Sequence, residues 1–185
     1  MYNALEMLRR ISTAVTSPDL SFPDRAAISN RIYILEHTLL SSQAAIEVPN
    51  HDLPYDGTEA DLSEAFRIAA LLYAHLILRE LPHTAKMHSK LVSNLKFVLE
   101  EQSFALVQTT SRQTLELLAW IFFMGGAAAV DAGERRYFVT LLVRVCSGLG
   151  LEEREDLNGT LQGVVWLEKV CEGYFSKLWK EMTMV

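Results

Sequence analysis

The sequence has only two cysteines, Cys146 and Cys171, in 185 residues. Two thiols are too few for a disulfide scaffold or for an all-cysteine zinc site of four ligands. Basic charge is also short: 17 lysines and arginines face 23 aspartates and glutamates, a net charge of −6. A field of that sign does not draw a chain onto nucleic acid or an anionic membrane, although it leaves room for a local basic patch. Long apolar runs are missing as well. The longest uncharged one, Leu117 to Val130, has 14 residues. A bilayer span takes about 20, so this run reads as a buried core helix. The opening segment, Met1 to Arg10, carries an acid early and no long apolar centre, so no secretory leader is expected in it.

Signature motifs are equally scarce. The nucleophile elbow G-x-S-x-G, the phosphate loop G-x-x-x-x-G-K-[ST] and the zincin H-E-x-x-H are absent. The five histidines stand at 37, 51, 75, 83 and 88, and none are four apart, the spacing that sets two ligands on one helix face. A calcium loop starting at Asp52 puts Ser63 where the bidentate glutamate belongs. No metal and no cofactor is expected.

What the sequence does contain is helical periodicity. Half of its residues are hydrophobic and 22% are charged, and a chain of this length can bury about 70% of its extended surface. An all-α, single-domain bundle of seven or eight helices over residues 1–185 is expected, built around two central apolar helices. The first helix runs from about Asn3 to Val15 and buries Leu5, Leu8, Ile11 and Val15. The second opens at Ser21-Phe22-Pro23-Asp24 and carries Ile28, Ile32, Leu35 and Leu39 on one stripe. Residues 46–60, with Pro49, Pro54 and Gly57, read as a loose loop. Thr58 with Asp61 caps a third helix through about Leu81, apolar nearly all round, with Glu64, Arg67, His75 and Arg79 on one narrow polar stripe.

Thr84 caps a fourth helix to about Glu101, burying Met87, Leu91, Leu95, Val98 and Leu99. Thr110 and Gln113 cap a fifth, Arg112 to Val130. Asp131 and Glu134 cap a sixth that stops at Gly148 and Gly150. Beyond Glu152 the apolar spacing continues to Met182 with an interruption at Glu168, and Gly163 and Gly173 divide it into two helices. One of Arg135 and Arg136 is expected to pair with a carboxylate such as Glu116 or Glu134.

The two apolar helices mark where a ligand pocket would lie. Tyr73, His75, Trp120, Phe123 and Met124 are its candidate lining: two polar side chains to orient a mostly apolar ligand and three to enclose it. Gly125 and Gly126 would leave the space, unless they serve to let a neighbouring helix pack closely. A small all-α enzyme using a cleft near His75 is a third reading, weakened by the lack of any acid–base pair.

The segments Glu64 to Arg79, Leu117 to Ala128, Glu134 to Val139 and Leu149 to Leu151, with Trp166 and Trp179-Lys180-Glu181, come in one recognisable order. With a weaker match at Leu35-Glu36, they resemble the fungal-specific transcription factor domain. This is the regulatory region that accompanies the binuclear zinc-cluster DNA-binding domain of fungal regulators. Two departures stand out. The family's DNA-binding module needs six cysteines, and this chain has two, 25 apart. After Leu149-Gly150-Leu151, where the family has a tryptophan, this chain has Glu152-Glu153-Arg154.

The resemblance implies a regulatory or effector domain with no catalytic residues. It would act through a protein partner, a homodimer or a small apolar effector, without gripping nucleic acid or membrane itself. The expected location is intracellular, in the nucleus first and the cytoplasm otherwise. A free-standing helical ligand-binding protein is the alternative.

Overall fold

Helix starts are fixed by short-range hydrogen bonds that the sequence spells out. In the computed structural model, which describes residues 2–17, 19–43, 57–100 and 111–184, the Ser21 hydroxyl accepts from the Asp24 amide at 3.3 Å. The Asp24 carboxylate accepts from the Ser21 amide at 3.1 Å in return, a reciprocal cap. Asp131 accepts from the Glu134 amide at 2.9 Å. The fifth helix is capped by Ser111, whose side chain accepts from the Thr114 amide at 3.3 Å, in place of the expected Thr110, which lies outside the described residues.

The described residues form eight α-helices and one π turn, with no strand. They are α1 (Tyr2–Val15), α2 (Phe22–Gln43), α3 (Gly57–Tyr73), the π turn (Ala74–Leu78), α4 (Lys86–Glu100), α5 (Arg112–Ala128), α6 (Ala132–Leu149), α7 (Arg154–Val164) and α8 (Glu168–Met182). The all-α single domain is as expected. Most of the loose loop expected at 46–60 lies outside the described residues. Its last part is corrected, because α3 already begins at Gly57 and Thr58 stands inside the helix. The third helix also stops short of Leu81. The chain widens into the π turn after Tyr73, and Glu80 takes a left-handed φ of 48° before Pro82.

Two more corrections follow from packing. In α4 the buried stripe is His88, Val92, Leu95 and Leu99, while Met87 is exposed and Leu91 and Val98 are half-buried. The helix is rotated so that His88 faces the π turn. Arg135 does pair with a carboxylate, but it is that of Glu181 at 3.4 Å rather than that of Glu116 or Glu134, because α8 packs along α6. Glu116 takes Arg112 at 3.0 Å, and Glu134 takes the Ser93 hydroxyl at 2.7 Å.

The centre is α5. Every residue from 117 to 129 is buried, and α3, α4, α6, α7 and α8 all pack on it. The α1–α2 pair forms an outer layer against α3 and the π turn. The expected division near Gly163 occurs at residues 165–167, while Gly173 stays inside α8. Three of the carbonyls freed there are claimed: Arg9 donates to Val164 and Gly163 at 2.8 Å each, and the Trp120 indole donates to Val165 at 2.9 Å. Where the Glu152-Glu153-Arg154 departure falls, Arg154 spreads over the Phe175 ring at 5.2 Å and pairs with Glu172, tying α7 to α8.

Gly125 and Gly126 make the tightest contact. A Cβ on Gly125 would lie 2.4 to 2.8 Å from the Phe138 ring of α6. One on Gly126 would meet the methyl end of the Leu178 side chain at 3.1 Å, and one on Gly159 would meet nothing within 4 Å. Alanine is the better helix former, by about 1 kcal/mol, so space decides the sign. Gly125→Ala should lower urea-unfolding stability by about 1–3 kcal/mol through overpacking, Gly126→Ala should be near neutral, and Gly159→Ala should raise it by about 0.5–1 kcal/mol.

Candidate functional site

The structure places the five side chains singled out from the sequence in three separate groups. Tyr73 and Trp120 meet, with ring centroids 5.8 Å apart, and Phe66 joins Trp120 at 6.0 Å. Phe123 belongs to a second aromatic group with Trp166 and Phe175, at 5.6 and 6.3 Å. Tyr73, Trp120, Phe123 and Met124 are at most 1% exposed, and the room beside Gly125 is taken by Phe138. All four hold positions in the core. The Tyr73 hydroxyl is satisfied by Ser12 of α1 at 2.9 Å, and burial, before any other cause, pushes its pKa up.

His75 lies apart from them, in a polar seam between α2, the π turn and α4. Arg79 donates two hydrogen bonds to the Glu36 carboxylate, at 2.6 and 2.7 Å, and His75 Nε2 is 3.4 Å from the same group. The rings of His75 and His88 stack with centroids 6.3 Å apart. The Nδ1 of His75 and the Nε2 of His88 are buried without a hydrogen-bond partner. Two turns earlier Arg67, 8% exposed, donates to Glu64 at 2.6 and 2.5 Å and to the Leu39 carbonyl at 3.3 Å. The polar stripe read from Glu64, Arg67, His75 and Arg79 is therefore the strip that docks α2. Sequence reasoning missed Glu36 and His88 as its partners. The four-residue step from His75 to Arg79 was the available signal.

The thiols are inert by position. Burial pushes Cys146 up to about 11 and Cys171 up to about 12. Among the described residues, no group of three or more His, Cys, Asp or Glu is placed to hold a metal ion, and no helix is long and apolar enough to cross a membrane.

The described surface offers clefts and one bare helix face. A cleft of about 510 Å³ lies between Arg112 and Glu116 of α5 and Glu155, Asp156 and Thr160 of α7. Another of about 300 Å³ separates the end of α1 from the start of α2. None of the five sequence candidates lines either cleft. Of the exposed large hydrophobic side chains among the described residues, half sit on α2: Phe22, Tyr33, Ile34 and Leu40.

The model of the fungal specific transcription factor domain matches residues 4–162. The chain belongs to this family. No curated protein and no solved structure matches it. The fungal specific transcription factor domain is a regulatory region of transcription factors, so the chain's role is regulatory. The matched span starts earlier than the resemblance read from Glu64 onward, taking in all but the first residues of α1. It ends inside α7, so Trp166 and the Trp179-Lys180-Glu181 segment lie beyond it.

Burial, first of all, pushes His75 and His88 below the usual 6.5. The charges of His88 and Arg79 act the same way on His75, against the pull of Glu36. For His88 the bond to the His83 carbonyl opposes burial and the His83 charge adds to it. A histidine depressed in the folded state binds fewer protons there than in the unfolded chain. Its contribution to stability is therefore complete above 6.5 and falls away as the pH drops through and below that value. The urea midpoint should decline between about pH 7.5 and about pH 5.5, and a His75→Gln/His88→Gln variant should decline less steeply over the same interval.

Proposed function

We propose that this domain regulates a fungal transcription factor by contact with another protein surface, with DNA binding supplied by a separate module. The observation that carries the reading is the family match over residues 4–162. A surface mode of action draws support from two features. The aromatic centre is filled by its own side chains, whereas α2 leaves four large apolar side chains uncovered, the kind of patch that marks interaction sites. Catalysis is not part of the proposal, because the most strongly perturbed groups, Tyr73, Cys146 and Cys171, are held neutral inside the core. The nucleus is the proposed location, in keeping with a transcriptional role.

Fusion to an unrelated DNA-binding domain in a fungal reporter strain tests this directly. Reporter output should move clearly away from that of the DNA-binding domain alone, up or down. The isolated chain should leave duplex DNA unshifted at micromolar concentration, because net negative charge offers no phosphate neutralisation. Unchanged reporter output, or a salt-sensitive DNA shift by the chain alone, overturns the proposal.

A further inference from the structure

α2 carries two stripes, and only one of them is covered. Ile28, Ile32, Leu35 and Leu39 are buried where α2 packs on α1, α3 and the π turn. On the opposite side Ala26, Asn30, Tyr33, His37 and Leu40 are all exposed. They succeed one another at steps of four, three, four and three, the repeat that holds one side of a helix against a partner helix over successive turns. The exposed stripe contains no charged residue. Asp24, Arg25, Arg31 and Glu36 all project within about 70° of the covered stripe at 100° per residue. A face without charge has nothing to offer an acidic or basic partner and suits another uncharged helix.

The stripe is also its own complement. About a two-fold axis between Arg31 and Ile32, an antiparallel copy sets Asn30 against Tyr33, Ala26 against His37 and Pro23 against Leu40. Each layer joins a small or narrow side chain to a large one, and the first puts an amide beside a phenol that can donate to it. A parallel copy would stack Tyr33 on Tyr33 and leave Ala26 facing Ala26. One helix of this length, roughly 33 Å by about 10 Å, offers less than the ~800 Å² per partner of a standard stable complex. A contact of that size belongs to the weak, concentration-dependent class.

We infer that α2 is a self-association surface, through which two copies of this chain pair with their α2 helices antiparallel. The inference rests on the reading of the domain as one that acts by protein contact, and names the partner as a second copy.

Sedimentation velocity of the whole 185-residue chain across the micromolar range tests it. The expected result is a rise from the mass of one chain to that of two. Tyr33→Glu/Leu40→Glu should abolish the rise while leaving far-ultraviolet circular dichroism unchanged, since both side chains are exposed. Phe97→Glu, on the exposed side of α4, should leave it intact. The Ala26→Lys/His37→Glu double variant should dimerise better than either single variant, because the two positions face each other across the antiparallel pair. A single-chain mass throughout, or a dimer indifferent to Tyr33→Glu/Leu40→Glu, overturns self-association through α2. A double variant weaker than both singles overturns the antiparallel pairing. A monomer that still moves the reporter sinks this inference and leaves the regulatory reading standing. A dimer with a silent reporter does the reverse.

Discussion

A helix that is apolar on every side must be surrounded, and α5 imposes that requirement on the rest of the chain. From residue 117 to 129 it exposes nothing, so α3, α4, α6, α7 and α8 are arranged as its walls. Close approach is needed on the α6 side, and Gly125 allows it by leaving room for the Phe138 ring. Between residues 117 and 129 the only side-chain nitrogen or oxygen is the Trp120 indole nitrogen. It ends on the Val165 carbonyl, where the chain leaves helix between α7 and α8. The break in the last third of the chain is thus tied to its centre by one hydrogen bond.

The outer layer follows a different rule. The α1–α2 pair meets α3 and the π turn through apolar side chains and through a row of polar ones: Ser12 with Tyr73, Arg67 with Glu64 and the Leu39 carbonyl, Arg79 with Glu36. Polar pairs of this kind are directional, the buried ones at Ser12 and Arg67 most of all, so they fix how α2 lies as well as whether it binds. Holding α2 in one orientation decides which of its faces looks outward. The uncharged stripe from Ala26 to Leu40 is exposed because Glu36 and Arg67 turn the other side in.

Much of this was legible in the residues. Period and caps gave the helices at Ser21-Asp24 and Asp131-Glu134, since these signals act over one turn and need no partner. The two central helices were legible because Ala65 to Ala74 and Leu117 to Ala129 have almost no polar face to expose. Where several residues could serve, local signals fell short. Met87 and His88 are neighbours, and only the packing of α4 against the π turn decides that the histidine goes inward. The π turn is itself a tertiary outcome, in which the helix widens after Tyr73. The partner of Arg135 lies 46 positions away in Glu181, a pairing that no spacing rule reaches. The candidate site suffered most. Tyr73, His75, Trp120, Phe123 and Met124 have the chemistry of a pocket, but whether such residues enclose space or fill it depends on side chains such as Phe138, Phe175 and Ser12 from elsewhere in the chain.

The matched family span ends at residue 162, but the folding unit does not. Past that point Cys171, Phe175 and Leu178 are buried. Phe175 touches Phe123 and Trp166, and Leu178 lies over Gly126. The boundary inherited from shared sequence and the boundary set by solvent are two different lines on this chain. A fragment cut at the first would leave one wall of α5 open to water, and the excisable module reaches at least to the last turn of α8.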